Sequence, residues 1–148
     1  MIKNKKAIIF DWWNTLWHPK THDIDSRIQL FLKQLYKQDY MLGIISNTPD
    51  DTGGSGRYIR KKLHEIELLS IFEFVIASGT IGIHKPDPRI FQMGMNFFPF
   101  EAKDVLMVGD SDSCDGGSIK LGIEYFKVDL TKGIWVDNLR NKLFPFFL

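Results

Sequence analysis

The chain has 148 residues, of which 44% are hydrophobic and 25% charged, which suits one folded domain with a sizeable core. A formal net charge of +1 gives no general attraction to nucleic acid or to a membrane surface, and a single cysteine, Cys114, excludes a disulfide-stapled domain. The apolar run before Asp11 is too short for a signal peptide or a membrane span. We therefore expect one cytoplasmic domain over residues 1–148, with no membrane contact and no nucleic-acid partner.

Five short apolar runs alternate along the chain with segments of helical spacing. Uninterrupted apolar runs of strand length are typical of strands buried on both faces of a parallel sheet. Strand followed by helix, repeated, predicts a Rossmann-like three-layer α/β/α fold with right-handed crossovers. Asp23 or Asp25 suits the cap of the first helix, and Pro88 suits the first turn of the third. The predicted strands are 7–10, 41–45, 74–77, 105–108 and 125–128, and the predicted helices are 24–38, 58–69, 88–98 and 114–121.

Polar side chains follow the predicted strands, at the edge where ligands bind in open α/β sheets. Asp11 follows the first strand, Ser46 and Asn47 follow the second, and Asp110 follows the fourth, with Asp115 a little further on. Carboxylates brought together at neighbouring strand ends repel one another unless a cation neutralises them. Mg²⁺ suits such a site because it binds one or two carboxylates and keeps waters and a phosphate oxygen.

Lys85, in the segment His-Lys-Pro-Asp-Pro after the third strand, adds a positive charge to the same edge. A metal ion, this lysine and the hydroxyl and backbone donors of Ser46 and Asn47 would together stabilise charge on a phosphoryl group. An aspartate such as Asp11 can then attack phosphorus and form an aspartyl-phosphate, which water hydrolyses. Each residue alone is ordinary as a turn, a cap or an exposed lysine, so the hypothesis depends on their common location.

Four segments, in this order along the chain, resemble the four motifs of the haloacid dehalogenase superfamily, most of whose members are phosphatases. The resemblance covers residues 7–122, and each motif comes at or after the end of a predicted strand. The segments are Ile-Ile-Phe-Asp11-x-x-Asn-Thr15-Leu, Gly-Ile-Ile-Ser46-Asn47-Thr, Lys85-Pro-Asp-Pro-Arg-Ile-Phe and Val-Gly109-Asp110-Ser-x-x-x-Asp115, the last followed by Gly122.

The resemblance implies a role for each of these residues and a Mg²⁺ cofactor. Asp11 would be the nucleophile, Lys85 would hold Asp11 and the phosphoryl oxygens, and Ser46 would bind the transferring phosphoryl group. The metal ligands would be Asp11, the backbone carbonyl of Trp13, Asp110 and Asp115. The residues that contact substrate would be Trp12, Trp13, Ser46, Asn47 and Lys85, with the tryptophans either a platform for substrate or a packed wall.

The chain departs from the family pattern at residue 13. Phosphatases of the family usually carry a second Asp two residues after the nucleophile, which protonates the leaving oxygen and then activates water. Trp13 stands there, and its indole N–H can donate a hydrogen bond but cannot transfer a proton. Since general acid–base catalysis contributes about 10²–10⁴-fold, we expect a slow phosphatase or one whose substrates have good leaving groups.

Two alternatives to a phosphatase stay open at this point. One is a phosphoryl-binding or regulatory protein that keeps the fold but catalyses little. The other is a metal-independent hydrolase closer to the dehalogenases, although Asp110 and Asp115 favour retained metal binding.

The two intervals in which family members insert a cap domain are short in this chain. Residues 12–45 have room for one helix and its connections, and residues 48–84 for a loop, a helix and a strand. We therefore expect no large cap domain and an open site, which suits a phosphorylated small molecule or a phosphoprotein. The glycine-rich loop at 52–56 is interpreted as a flexible connection and the apolar tail at 143–148 as core packing. The open site and the tail are compatible with a homodimer.

Overall fold

Five parallel strands form one sheet, which confirms the parallel sheet that the apolar runs predict. The computed structural model describes residues 2–48, 56–129 and 135–144. The strands are β1 (Ala7–Phe10), β2 (Met41–Ser46), β3 (Phe72–Ala77), β4 (Val105–Gly109) and β5 (Glu124–Lys127). Their order is β3-β2-β1-β4-β5, so the chain builds outward from one side of β1 and returns to the other side at β4. Ligand sites in open α/β sheets lie at such a reversal, beyond the carboxyl ends of the strands.

Helices pack on both faces of this sheet and give it three layers. Strand residues such as Ile8, Phe10 and Val108 share one core with the first, second and fifth helices, whereas Ile9 and Met107 share the other with the fourth. The α-helices are α1 (Ser26–Lys37), α2 (Arg57–Glu65), α3 (Ser78–Ile81), α4 (Pro88–Met95) and α5 (Trp135–Leu143). Short 3-10 helices cover Ile2–Asn4, Leu69–Ile71, Ala102–Asp104 and Asp115–Leu121.

Side-chain caps begin two of the helices, and the cap of α1 is one of the residues that the sequence predicts. Of the two candidate caps for α1, the structure selects Asp25, whose carboxylate accepts the backbone N–H of Arg27 at 2.8 Å. Asp87 caps α4 in the same way, by accepting the N–H of Arg89 at 2.9 Å. Pro88 is the first residue of α4, where its missing N–H costs no hydrogen bond.

Three helices differ from the predictions, and one of them is α3, which follows β3 where no helix was predicted. The predicted helix at 114–121 is a 3-10 helix over Asp115–Leu121, and its two adjacent glycines lower the preference for a regular α-helix. Helix α5 is an addition to the predicted elements, although Trp135, Val136 and Leu139 lie at helical spacing and are buried.

The connections between strands agree with the absence of a large cap domain. Residues 11–40, between β1 and β2, contain α1 as their only helix, and the described residues between β2 and β3 contain α2 and a 3-10 turn. Except for Gly56, the glycine-rich loop lies outside the described residues, as do residues 145–148 of the apolar tail. The tail begins as core packing, since Leu143 is buried and Phe144 lies edge-on to Tyr40 with ring centroids 5.7 Å apart. Among the residues that the structure describes, no helix combines the length and the apolar character needed to cross a membrane.

Candidate active site

Three aspartates meet at the carboxyl edge of the sheet, where β1 lies between β2 and β4. Asp11 follows β1, and its N–H donates to the carbonyl of Val108 at 2.9 Å, so the pairing with β4 continues to the aspartate itself. Asp110 follows β4, and Asp115 begins the nearby 3-10 helix. One carboxylate oxygen from each aspartate lies within 4.8 Å of the other two. The parallel strands therefore gather the three acidic residues that the sequence predicts at one site.

The ammonium group of Lys85 lies between two of these carboxylates. Its Nζ donates to Oδ1 of Asp11 at 2.8 Å, to Oδ1 of Asp115 at 2.5 Å and to the carbonyl of Ile45 at 2.9 Å. An ammonium group has three hydrogens, so each one has an acceptor. Lys85 is only 3% exposed, whereas lysines are almost never this buried unless they are paired. The loop after β3 thus delivers a buried cation into the acidic cluster.

Burial and neighbouring charge set the ionisation of this cluster. Burial raises the pKa of Asp11 to about 6, and Asp110 adds to the rise while the Lys85 ammonium opposes it. Burial also raises the pKa of Asp115, again against the attraction of Lys85. Burial disfavours the charged form of Lys85, but Asp11 and Asp115 outweigh it and the pKa of the lysine is raised. Three carboxylates share one ammonium, so a further cation would relieve the excess negative charge.

Local hydrogen bonds hold Lys85 and Asp115 in these positions. The side-chain amide of Asn47 donates to the Lys85 carbonyl at 3.0 Å and accepts the Lys85 N–H at 2.9 Å. Oδ2 of Asp115 accepts the N–H of Ser111 at 3.1 Å. Because both polar atoms of the Asn47 amide bind the Lys85 backbone, this side chain positions the lysine. The contact of Asn47 with substrate, through its backbone N–H, stays a prediction.

A pair of hydroxyl groups links the end of β2 to Trp13. Oγ of Ser46 and Oγ1 of Thr48 are 2.5 Å apart, and the indole N–H of Trp13 donates to Thr48 Oγ1 at 3.1 Å. Because an indole can only donate, Thr48 Oγ1 accepts from Trp13, and either hydroxyl can be the donor in the bond between Ser46 and Thr48. Ser46 is fully buried, so its contact with a phosphoryl group stays a prediction.

Thr48 links Trp13 to Ser46, and the sequence did not single it out as a site residue. The signal was its position two residues after Ser46, because alternate residues of an extended segment point to the same side.

The tryptophans after β1 divide between the core and the site. Trp12 is fully buried and stacks on Trp17, with ring centroids 5.3 Å apart and an interplanar angle of 15°. The Trp12 ring has no exposed surface, so it is part of a packed wall and not of a platform for substrate. A contact between substrate and the Trp12 backbone stays a prediction. Trp13 is half-buried and stacks on Tyr58 with ring centroids 5.9 Å apart. Its contact with substrate, and the binding of metal by its carbonyl, stay predictions.

The donor set of the acidic cluster fits Mg²⁺. Asp11, Asp110 and Asp115 offer only carboxylate oxygens, which hard cations prefer, and the cluster has no cysteine or histidine of the kind that zinc sites use. Lys85 takes Oδ1 of Asp11, and Oδ2 accepts one further hydrogen bond, from the Thr15 hydroxyl at 3.2 Å. A carboxylate has about four lone-pair positions, so lone pairs are left for a metal ion.

Comparisons with known proteins agree with this geometry. The family model described as haloacid dehalogenase-like hydrolase matches residues 2–128. A phosphoserine phosphatase of Thermus thermophilus is 30% identical over 110 residues, which are 74% of this chain and 39% of that protein. A glyceraldehyde 3-phosphate phosphatase of Pyrococcus furiosus is 32% identical over 99 residues, which are 65% of this chain and 39% of that protein. The chain therefore spans well under half the length of these two curated relatives.

A solved structure supports the fold over nearly the whole chain. It is a Had-superfamily hydrolase from Ehrlichia chaffeensis, 20% identical, with a TM-score of 0.70 over 94% of this chain and 99% of that one. At this identity the likeness establishes the fold alone, whereas the family model covers most of the chain and includes Asp11, Lys85 and the acidic loop. The chain therefore belongs to the haloacid dehalogenase-like hydrolases.

Proposed function

We propose that this protein is a Mg²⁺-dependent phosphohydrolase in which Asp11 accepts the phosphoryl group. The observation that carries the proposal is the contact of Lys85 with both Asp11 and Asp115, in a buried cluster that also contains Asp110. Burying several charged groups costs stability unless each is paired, and perturbed pKa values in such a group are typical of functional sites. The cluster also lies at the sheet edge where ligands bind.

The chemistry has two balanced steps. In the first, a carboxylate oxygen of Asp11 bonds to phosphorus while the bond to the leaving oxygen breaks, and that oxygen departs with the electron pair. Lys85 holds the Asp11 carboxylate for this attack. In the second, a water oxygen bonds to phosphorus, the bond to Asp11 breaks, and solvent takes up the proton that water loses. Mg²⁺, when bound by Asp11, Asp110 and Asp115, supplies positive charge for the phosphoryl oxygens.

Trp13 limits how fast this chemistry runs on ordinary phosphate esters. Its indole N–H is already bonded to Thr48, and an indole does not transfer a proton. Hydrolysis should therefore be slow for substrates whose leaving oxygen is strongly basic. The same observation favours a second candidate, a phosphoryl-binding or regulatory protein that keeps the metal site and catalyses little.

We propose a substrate class from the names of the two relatives. Their names, phosphoserine phosphatase and glyceraldehyde 3-phosphate phosphatase, refer to phosphorylated small molecules, and we propose that class for this chain. A phosphoprotein substrate, a homodimer and a cytoplasmic location stay predictions from the sequence.

Hydrolysis of p-nitrophenyl phosphate, with and without Mg²⁺, tests the proposal. This ester has a weakly basic leaving group and does not require the proton donor that Trp13 replaces. Turnover that needs Mg²⁺ and disappears in Asp11→Asn is the expected result. The matched control is Asp137→Asn, which removes a carboxylate from an exposed ion pair on α5 and should retain full activity.

The remaining outcomes separate the alternatives. Clear Mg²⁺ binding by calorimetry without turnover of any phosphoester would favour the binding protein. Halide release from a haloacid in the absence of metal would favour the dehalogenase-like hydrolase. Turnover that persists in Asp11→Asn would show that Asp11 is not the nucleophile.

A further inference from the structure

A second group of charged residues lies beside the acidic cluster. A cavity of about 580 Å³ opens next to Asp110, within the range of volumes that small-molecule sites have. Because Asp110 belongs to both the cavity and the cluster, a substrate with its phosphoryl group at Asp11 can extend into the cavity. The polar residues that line it are Asn14, His18, Lys20, Asp110, Lys127 and Asp129.

A tight turn between β1 and α1 presents Lys20 to this cavity. The N–H of His18 donates to the carbonyl of Asp23 at 2.8 Å, and the N–H of His22 donates back to the His18 carbonyl at 2.8 Å. The backbone N–H of Lys20 donates to Nδ1 of His18 at 3.2 Å. The Lys20 ammonium makes no ion pair with another described residue. The turn therefore fixes the Lys20 backbone and leaves the ammonium available to a ligand.

Lys127, the last residue of β5, lies on the same cavity. Its ammonium pairs with Asp112 at 3.1 Å, but the two side chains are 59% and 66% exposed, and ion pairs this exposed are weak. The Lys127 ammonium can therefore leave Asp112 and bind a ligand with little loss of free energy. Among the described residues that line the cavity, Asp129 is the one carboxylate besides Asp110, which belongs to the acidic cluster, and it stands against two lysines.

We propose that this cavity binds a second anionic group of the substrate, through Lys20 and Lys127. The substrate is then a phosphorylated small molecule that also carries a carboxylate or a second phosphate. This inference rests on the proposed function and narrows its substrate class. The chemistry shared by both kinds of group is an oxyanion, and the experiment includes each.

The test compares substrates that differ in the second group. Glycerol 3-phosphate and 3-phosphoglycerate differ by a carboxylate, whereas 3-hydroxypropyl phosphate and 1,3-propanediol bisphosphate differ by a phosphate. The wild-type protein should have the higher kcat/KM for the anionic member of one or both pairs. Lys20→Gln and Lys127→Gln should each lower that preference about fivefold, the effect of one solvent-screened charge pair. Lys20→Arg keeps the positive charge and should therefore keep the preference for the anionic substrate. Lys33 is an exposed lysine of α1 away from the cavity, so Lys33→Gln should also keep the wild-type preference.

A binding measurement separates this inference from the proposed function. Calorimetric titration of 3-phosphoglycerate into Asp11→Asn, with Mg²⁺ present, requires no turnover, and the added change Lys20→Gln should weaken binding about fivefold. If p-nitrophenyl phosphate is hydrolysed through Asp11 but neither lysine changes the preference for anionic substrates, the subsite is wrong and the phosphohydrolase stands. If no phosphoester is hydrolysed, the phosphohydrolase is wrong, and the binding titration decides the subsite by whether Lys20→Gln weakens it.

Discussion

A β-carbon on Gly109 would lie 2.2 Å from Oδ2 of Asp115, so the last residue of β4 must lack a side chain for this carboxylate to lie in the cluster. Gly109→Ala should push Asp115 away from Lys85 and lower Mg²⁺ affinity about tenfold or more, by analogy with the loss of outer-shell support at metal sites. Isothermal titration with MgCl₂ measures the change. Gly116→Ala is the matched control, because its β-carbon would meet the Tyr125 ring at 3.6 Å, an ordinary contact. Equal affinities in the two variants would show that Asp115 does not bind the metal.

Removing the buried ammonium should destabilise the fold. Lys85→Met keeps much of the side-chain volume but leaves Asp11 and Asp115 buried without their cation. Breaking a buried pair from one side costs about 3–5 kcal/mol of unfolding free energy, and urea denaturation at neutral pH measures it. Lys103→Met removes a lysine from an exposed pair with Glu101 and should change stability by less than about 1 kcal/mol. A loss of similar size in both variants would contradict the importance of burial.

Mg²⁺ binding should weaken as the pH falls through about 6. Burial raises the pKa of Asp11 to about 6, so below that pH the carboxyl group is mostly protonated, and a proton competes with the metal. Above the pKa the carboxylate is free to bind, so affinity should rise from about pH 5 to about pH 7 and then level off. Titration calorimetry across that range gives the profile. In Asp11→Asn the Asp11 step should vanish, and a step that persists there would belong to another group.

Trp13→Asp should recover the hydrolysis of esters with strongly basic leaving groups. The informative quantity is kcat/KM for phenyl phosphate divided by that for p-nitrophenyl phosphate. A correctly placed carboxyl group should raise this ratio, by at most about the 10²–10⁴-fold that general acid catalysis contributes. Trp13→Phe keeps a ring against Tyr58 and loses the N–H to Thr48, so it should leave the ratio unchanged. If both variants lower activity without changing the ratio, Trp13 has a structural or substrate-stacking role.

The sequence predicted the strands and the location of the candidate site better than the hydrogen bonds between side chains. Apolar runs located all five strands: β1 and β4 are buried on both faces and are apolar throughout, and the edge strand β5 still contains the partly buried Tyr125 and Phe126. The polar residues after those runs meet at one edge, because parallel strands end on the same side. Helix α5 was not predicted, since its buried residues lie in a short segment between the last strand and the tail, where nothing in the alternation required an element.

The contacts of individual side chains could not be predicted from the sequence. Trp12 and Trp13 are the same residue type at neighbouring positions, yet one stacks on Trp17 in the core and the other bonds to Thr48. The side chain of Asn47 binds the backbone of Lys85 across 38 positions of the chain. Such contacts depend on how β2 and the loop after β3 come together in space, which no local pattern in the sequence encodes.

The tryptophans differ in burial, so intrinsic tryptophan fluorescence can report binding at the candidate site. Trp12, Trp17 and Trp135 are at most 4% exposed, whereas Trp13 is half-buried and bonded to Thr48 at the carboxyl edge of the sheet. Among the four indoles, Trp13 is therefore the one whose emission should respond when an ion or a ligand enters. Titrations followed by intrinsic fluorescence can report occupancy without any attached dye, and Trp13→Phe supplies the blank.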